Sequence, residues 1–353
     1  MTKNLFLVKK VLLIKINMKI RIILVLTSLI VFAVTTVSAQ PVKPVLVVVN
    51  KGEASMSIID PITMKVTGKV AVGDGPHEVV LSADGKTAYV SNYGSQVAGS
   101  SLSVIDVAAA KETRRVDLTP LLRPHGLHLI GTKLYFTAEV NRAIARYDTV
   151  ANKVDWIMGT GQNGSHMVVV SPDQKKLYTA NIGSDSVTVF NFTQTAPPGP
   201  SQIVQIAVGK QPEAIDLSPD GKEVWVGLNV EGMAEVVDLA TAKSVAKIDM
   251  KGRPYRVRFT PDGKYVICTM LPTKEIVVID VATRKEIKRL KLDNVPLGVA
   301  FSADGKTLFV TAGRPNPASP GVDQVLRIDL EKLTITGTAT PGAAPDGIAV
   351  AGM

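Results

Sequence analysis

The sequence predicts an all-β fold, a single seven-bladed β-propeller of four-stranded blades closed by pairing its N- and C-terminal strands. Three observations carry this. A turn of the form Ser/Thr-x-Asp-Gly-Lys recurs at residues 82–86, 218–222, 260–264 and 302–306, with a variant at 171–175 and a shortened form at 130–133. A second mark recurs seven times: Ile59-Asp60, Ile105-Asp106, Tyr147-Asp148, Phe190-Asn191, Val237-Asp238, Ile279-Asp280 and Ile328-Asp329. The resulting unit repeats every 41 to 49 residues, and a period of that length with several short strands per unit is the signature of propeller blades.

Each unit reads in the same order. An apolar run such as Glu78 to Leu81 leads into the Asp-Gly turn, where glycine accepts positive φ and aspartate bonds back to the backbone. A second β-branched run follows, as in Thr87 to Ser91. The Ile-Asp mark closes a third strand, and stretches such as Glu112 to Leu118 or Glu286 to Leu292 supply a fourth. No helical periodicity competes with this pattern. The repeat begins on Val45 to Asn50 and ends on Gly347 to Val350. The closing blade is therefore expected to take its innermost strand from the C-terminus and its outer ones from the N-terminus, which hides edges that an open array exposes.

Residues 1–39 read as a secretory signal peptide, with residues 40–353 as the propeller domain. Met18 to Arg21 is a basic start, so that Met18 is a second candidate initiator, and an apolar run from Ile22 to about Val34 precedes the small residues Val37-Ser38-Ala39. That core is short for a membrane span and carries a cleavage signal. A periplasmic or secreted protein, with no span left after cleavage, is the expectation. The segment also explains the basicity: it holds six of the 40 Lys+Arg and no acid, leaving 34 against 31 Asp+Glu. So small an excess, with no basic run interleaved with aromatics, argues against nucleic acid. The single cysteine, Cys268, sits in a strand and allows no internal disulfide. A monomer is expected.

Tyr89-Val90-Ser91-Asn92 and Tyr178-Thr179-Ala180-Asn181, each after an Asp turn and before a Val-rich strand, resemble the YVTN-type propeller repeat; Trp225-Val226-Gly227 and Phe309-Val310-Thr311 are looser copies. The resemblance covers nearly the whole chain after residue 39. It implies kinship with YncE-like secreted propellers, archaeal surface-layer proteins and lactonase-like propellers, and more distantly with propellers that carry haem d1 or copper clusters. Those relatives bind, hydrolyse, oxidise or adhere, so the resemblance implies a fold and leaves activity open.

The candidate site lies at one slot of the repeat, just before the innermost strand. Successive copies place His77, His125, His166, Glu213, Tyr255, Leu297 and Asp346 there. Equivalent positions in a ring face a common centre, so three histidines and two carboxylates meet in this prediction. Neutral imidazoles with a carboxylate suit zinc, copper or iron, which makes His77, His125 and His166 the candidate ligands of a divalent metal. The other reading is that Pro-His belongs to the repeat itself and bonds a neighbouring blade. Arg123, Arg253, Arg256 and Arg314 fall near the same mouth and could clamp an anionic ligand or simply be solvated. Asn92 and Asn181, at the ends of second strands, join the expected ligand-binding set. The loops at 92–101, 139–142, 181–184, 229–231 and 313–324 open on this face. The stretch 193–202 falls on the opposite one, as a spacer. His128, inside a strand, reads as a satisfied strand histidine.

No Gly-x-Ser-x-Gly elbow, phosphate-cradling loop or Cys-x-x-Cys is present. Two functions stay open from the sequence. One is an exported propeller that binds a small molecule, glycan or partner protein at the channel mouth. The other is a propeller enzyme, a lactonase-like hydrolase or a metal-dependent oxidoreductase, using the histidine and carboxylate slot.

Overall fold

Seven four-stranded antiparallel sheets form the ring. The computed structural model describes residues 42–193, 199–200, 202–314 and 321–353, together with Lys10. Apart from Lys10, the expected signal peptide lies outside the described residues, as do the proline-rich part of the 313–324 loop and the middle of the 193–202 spacer. Among the described residues, no helix is long and apolar enough to cross a membrane.

The first blade is the closing blade: the C-terminal strand Pro345–Ala351 pairs with the N-terminal strand Val45–Asn50, Val47 opposite Ala349 and Val48 opposite Ile348. The second to seventh blades have innermost strands Pro76–Leu81, Pro124–Ile130, Ser165–Val170, Pro212–Leu217, Arg253–Phe259 and Val295–Phe301. The recurring turn forms as its chemistry requires. Ser82 Oγ donates to Asp84 Oδ1 at 2.7 Å, Asp84 Oδ1 accepts from Lys86 N–H at 3.1 Å, and Gly85 takes φ +69°. In the six blades whose third strand ends in Asp, that residue caps the next turn, as where Asp60 Oδ1 accepts from Ile62 and Thr63 N–H.

Second and third strands are almost wholly buried, whereas outermost strands such as Lys111–Asp117 are mostly exposed. The exposed edge carries charge, Lys111, Glu112, Arg114 and Arg115 in that strand, which blunts edge-to-edge pairing. Between blades the cores interlock: Val47, Val49 and Met56 of the first pack with Val79, Ala88 and Val90 of the second. Trp225 of the fifth meets Phe259 of the sixth edge-on at 5.7 Å. The burial of these faces against each neighbour is the main stabilising term.

A polar latch also joins the blades near the axis. Thr137 Oγ1 accepts the N–H of Gly126 in its own blade and donates to the carbonyl of His166 in the next. Ser91, Thr269 and Thr311 do the same, bridging Glu78 N–H to the His125 carbonyl, Arg256 N–H to the Leu297 carbonyl, and Gly298 N–H to the Asp346 carbonyl. So closely do the blades approach here that a Cβ on Gly347 would lie 2.5 Å from the His77 carbonyl oxygen. A Thr311→Val substitution keeps the shape but orphans one buried N–H and one buried carbonyl. Urea denaturation should show a loss of about 1–3 kcal/mol.

Candidate functional site

A bulge starts the innermost strand in all seven blades. The pairing register shifts between Pro76 and Val79, Pro124 and Leu127, Ser165 and Met167, Pro212 and Ala214, Pro254 and Arg256, Pro296 and Val299, and opposite Pro345 in the closing blade. A bulge re-aims the side chain it carries, and the slot residue lies within each one. In five blades the residue two before the slot is also left-handed: Gly75, Arg123, Gly164, Gln211 and Ala344, with φ between +52° and +61°. Those five blades supply His77, His125, His166, Glu213 and Asp346. The two without that turn supply Tyr255 and Leu297, and their strands begin one residue earlier relative to the slot.

The three histidines converge. The His77 and His125 rings stand 4.0 Å apart, the His125 and His166 rings 3.9 Å, and His77 Nε2 lies 3.2 Å from His125 Nε2. All three are buried. Carboxylates surround them. Asp346 Oδ2 is 3.4 Å from His77 Nδ1, Glu78 Oε1 is 3.7 Å from the same nitrogen, and Glu139 Oε1 is 3.6 Å and Glu213 Oε1 3.8 Å from His166 Nε2. Arg256, also buried, pairs with Glu78 and lies 3.8 Å from Asp346. Lys51 reaches Asp346 at 3.8 Å from a more exposed position.

A second tier sits on this ring, built from the first residue after the second strand in five blades. Lys51, Tyr93, Glu139, Ile182 and Asn229 hold that place. Each is pinned by its own N–H to the carbonyl two before the slot, at Ala344, Gly75, Arg123, Gly164 and Gln211. Tyr93 donates its hydroxyl to Glu139 Oε2 at 2.5 Å and sets its ring edge-on to His77 and His125, both at 5.4 Å. The Arg123 guanidinium covers the outer face of that ring at 4.5 Å.

His166 departs from the pattern of latches. At the hydroxyl position of its blade stands Ala180, opposite Met167. The carbonyl of Glu213 in the next blade accepts instead from His166 Nδ1 at 2.9 Å. A carbonyl only accepts, so Nδ1 carries the proton and the neutral ring keeps its lone pair on Nε2.

Burial holds all three rings neutral. It pushes His77 down to about 3, with Lys51 and Arg256 adding to the effect and Asp346 opposing it. Burial, with the neighbouring histidines, puts His125 well below its ordinary value, and burial lowers His166 against the pull of Glu139. Burial likewise raises the Glu213 carboxyl, and it raises the Tyr93 hydroxyl to about 12. Several buried polar atoms in the cluster have no hydrogen-bond partner among the described residues: His77 Nδ1, His125 Nδ1, Arg256 Nη1 and Asp346 Oδ1. Beyond the Glu78–Arg256 pair the axis continues as a cavity of roughly 470 Å³, lined by Leu127, His128, Arg258 and Phe301 among others. His128 therefore faces the channel, where burial lowers it to about 4.

Of the residues expected from the sequence, the cluster takes in His77, His125, His166, Glu213, Asp346 and Arg256, with Arg123 above Tyr93. Asn92 and Asn181 lie apart from the cluster, within their blades. Their buried amides donate to Ser101 and Ser103, and to Ser186 and Thr188, and accept from Gly73 N–H and Ser165 Oγ, tying second strand to third. Among the arginines, Arg256 faces Glu78, Arg253 donates to Asn229 and Arg314 bonds Asp323. Tyr93, Glu139, Glu78 and Lys51 were not singled out from the sequence. Aligning the copies on the end of the second strand would have exposed three of them.

The sequence model described as YNCE-like beta-propeller matches residues 21–196. No curated protein matches the chain. Solved structures share the ring. A functionally unknown protein from Desulfotomaculum acetoxidans superposes with a TM-score of 0.71 at 12% identity, covering 87% of this chain and 98% of that one. Kuenenia stuttgartiensis hydrazine synthase gives 0.66 at 22%, covering 84% and 98%. The dihydro-heme d1 dehydrogenase NirN gives 0.60 at 16%, covering 89% and 76%. At these identities the likeness is one of fold.

The neutral cluster makes the protein acid-sensitive. Unfolded, His77 protonates near pH 6.5; folded, it stays neutral to about 3. The unfolded state thus binds more protons below about pH 6.5, and stability falls as pH drops. For EDTA-treated protein, His77 should account for about 2 kcal/mol of the loss between about pH 7.5 and about pH 5. Urea midpoints of wild type and His77→Gln, compared at both pH values, measure it.

Proposed function

From the premise that this chain belongs to the YncE-like β-propeller family, we propose that it is an exported binding protein that takes a small cationic ligand at the histidine end of its channel. One observation carries the reading: four carboxylates, Glu78, Glu139, Glu213 and Asp346, crowd neutral histidines while Arg256 is the buried counter-charge. Like charges brought together away from water repel strongly. A cation held among them relieves that repulsion, whereas an anion would add to it.

Two further points support it. Unpartnered polar atoms in a buried cluster are groups for which a ligand supplies partners. The rings are also fixed by packing and latches, so little ordering remains to be done on binding. Export rests on the basic, apolar and small-residue order of residues 18–39.

Thermal shift against a panel of divalent metal ions, organic ammonium and guanidinium compounds, and carboxylates tests the charge preference. At least one cation should raise the melting temperature by roughly 5 °C at a hundredfold excess over its Kd, with the shift reduced in Glu139→Gln. Stabilisation by the carboxylates alone would refute the reading. Chain recovered from the periplasm or medium should have an intact mass that begins at Gln40.

A further inference from the structure

We infer, resting on the ligand-binding reading above, that His125, His166 and Glu139, with Glu213 alongside, hold a divalent first-row transition-metal ion at the channel axis, and that His77 is not one of its ligands. Two overlapping groups offer ligand atoms within 4.8 Å of one another: His77, Glu78 and His125, and His125, Glu139 and His166. Ligand atoms bound near 2.1 Å from one ion stand about 3–4 Å apart, so either group needs only a small inward adjustment. Charge separates them.

At the first group Glu78 is engaged by Arg256, and Lys51 lies on the other side, bonded toward Asp346. A metal ion there would face two positive side chains and would have to displace a buried ion pair. The second group has the opposite setting. His166 has its proton fixed on Nδ1 by the Glu213 carbonyl, so its bare Nε2 looks at Glu139 and Glu213 carboxylate oxygens at 3.6 and 3.8 Å. Three acceptors face one another there, and among the described residues none of these three atoms receives a hydrogen bond. A cation with affinity for nitrogen resolves that arrangement.

The surroundings match the outer shell of a metal centre. Tyr93 donates to Glu139 Oε2, which orients Oε1 toward His166. The Glu213 carbonyl fixes the His166 tautomer. His77, through its Nε2 contact, orients His125, and Asp346 stands behind His77. His77 is thus a positioning residue. Two imidazoles with carboxylates favour zinc, iron, cobalt or copper over calcium and magnesium, which take all-oxygen sets.

Co²⁺ titration of EDTA-treated full-length protein, followed by its visible ligand-field bands, tests this. One equivalent should bind, be displaced by Zn²⁺ and be unaffected by excess Ca²⁺. His166→Gln and Glu139→Gln, both able to keep the neighbouring hydrogen bonds, should weaken Co²⁺ by at least about tenfold. His77→Gln should keep the band positions and change affinity by less than that. Circular dichroism melts check that each variant is folded; should His166→Gln melt early, Glu139→Gln alone carries the comparison. Equal binding by Glu139→Gln and wild type, or loss of Co²⁺ in His77→Gln, would overturn this ligand set. If Co²⁺ does not bind but an ammonium or guanidinium compound stabilises the protein, the metal is refuted and the binding reading stands. If neither class binds, both fall.

Discussion

The clustering of side chains at the histidine end of this propeller depends on a bulge at the start of each innermost strand. A regular strand alternates its side chains between the two faces of its own blade. The extra residue in the bulge lets the slot side chain leave that alternation while the rest of the strand keeps its core register. Repeated around the ring, this small irregularity brings residues from five blades into contact although no two of them are near in sequence. The left-handed residue two positions earlier sharpens the approach in those five, and non-glycine residues Arg123, Gln211 and Ala344 accept that conformation. Such backbone strain persists only where the surroundings over-determine it. Here they do so through the N–H bonds of Glu139, Asn229 and Lys51.

The same region shows how a repeat becomes a site. Four blades share a hydroxyl that ties the slot of one blade to the next, a purely architectural device. In the fourth blade that hydroxyl is missing, and the imidazole of His166 takes over the carbonyl. One side chain then serves as both latch and site residue, which fixes its tautomer without any dedicated partner. Similarly, the Asn of the YVTN-like repeat holds strands together, and the less regular residues that follow second strands, Tyr93 after Asn92 and Glu139 after Ala138, face the histidines.

Most of the fold was legible in the sequence because its signals are local: Asp-Gly turns, Ile-Asp marks and alternating apolar runs each report on a few residues. The convergence of His77, His125, His166, Glu213 and Asp346 was legible too, since a closed ring converts equal sequence position into equal radial position. What was hidden depends on contacts across the ring. Arg256 reads as a free cation until Glu78, far away in sequence, is seen against it. Glu139 reads as a loop residue until the second strands are aligned at their ends. Asn92 and Asn181 read as mouth residues because they end a strand on that face. Their amides turn back into the blade, toward hydroxyls that no pattern in the chain marks as their partners.

The closing blade has a consequence for when the site comes into being. Asp346 stands on the C-terminal strand and meets His77 only after that strand has docked on Val45–Asn50. That strand is also the last of the ring's strands in chain order. Until it docks, His77 lacks the nearer of its two carboxylates and the ring lacks one wall. The finished cluster is accordingly a property of the closed ring, assembled only once the last strand has paired with the first.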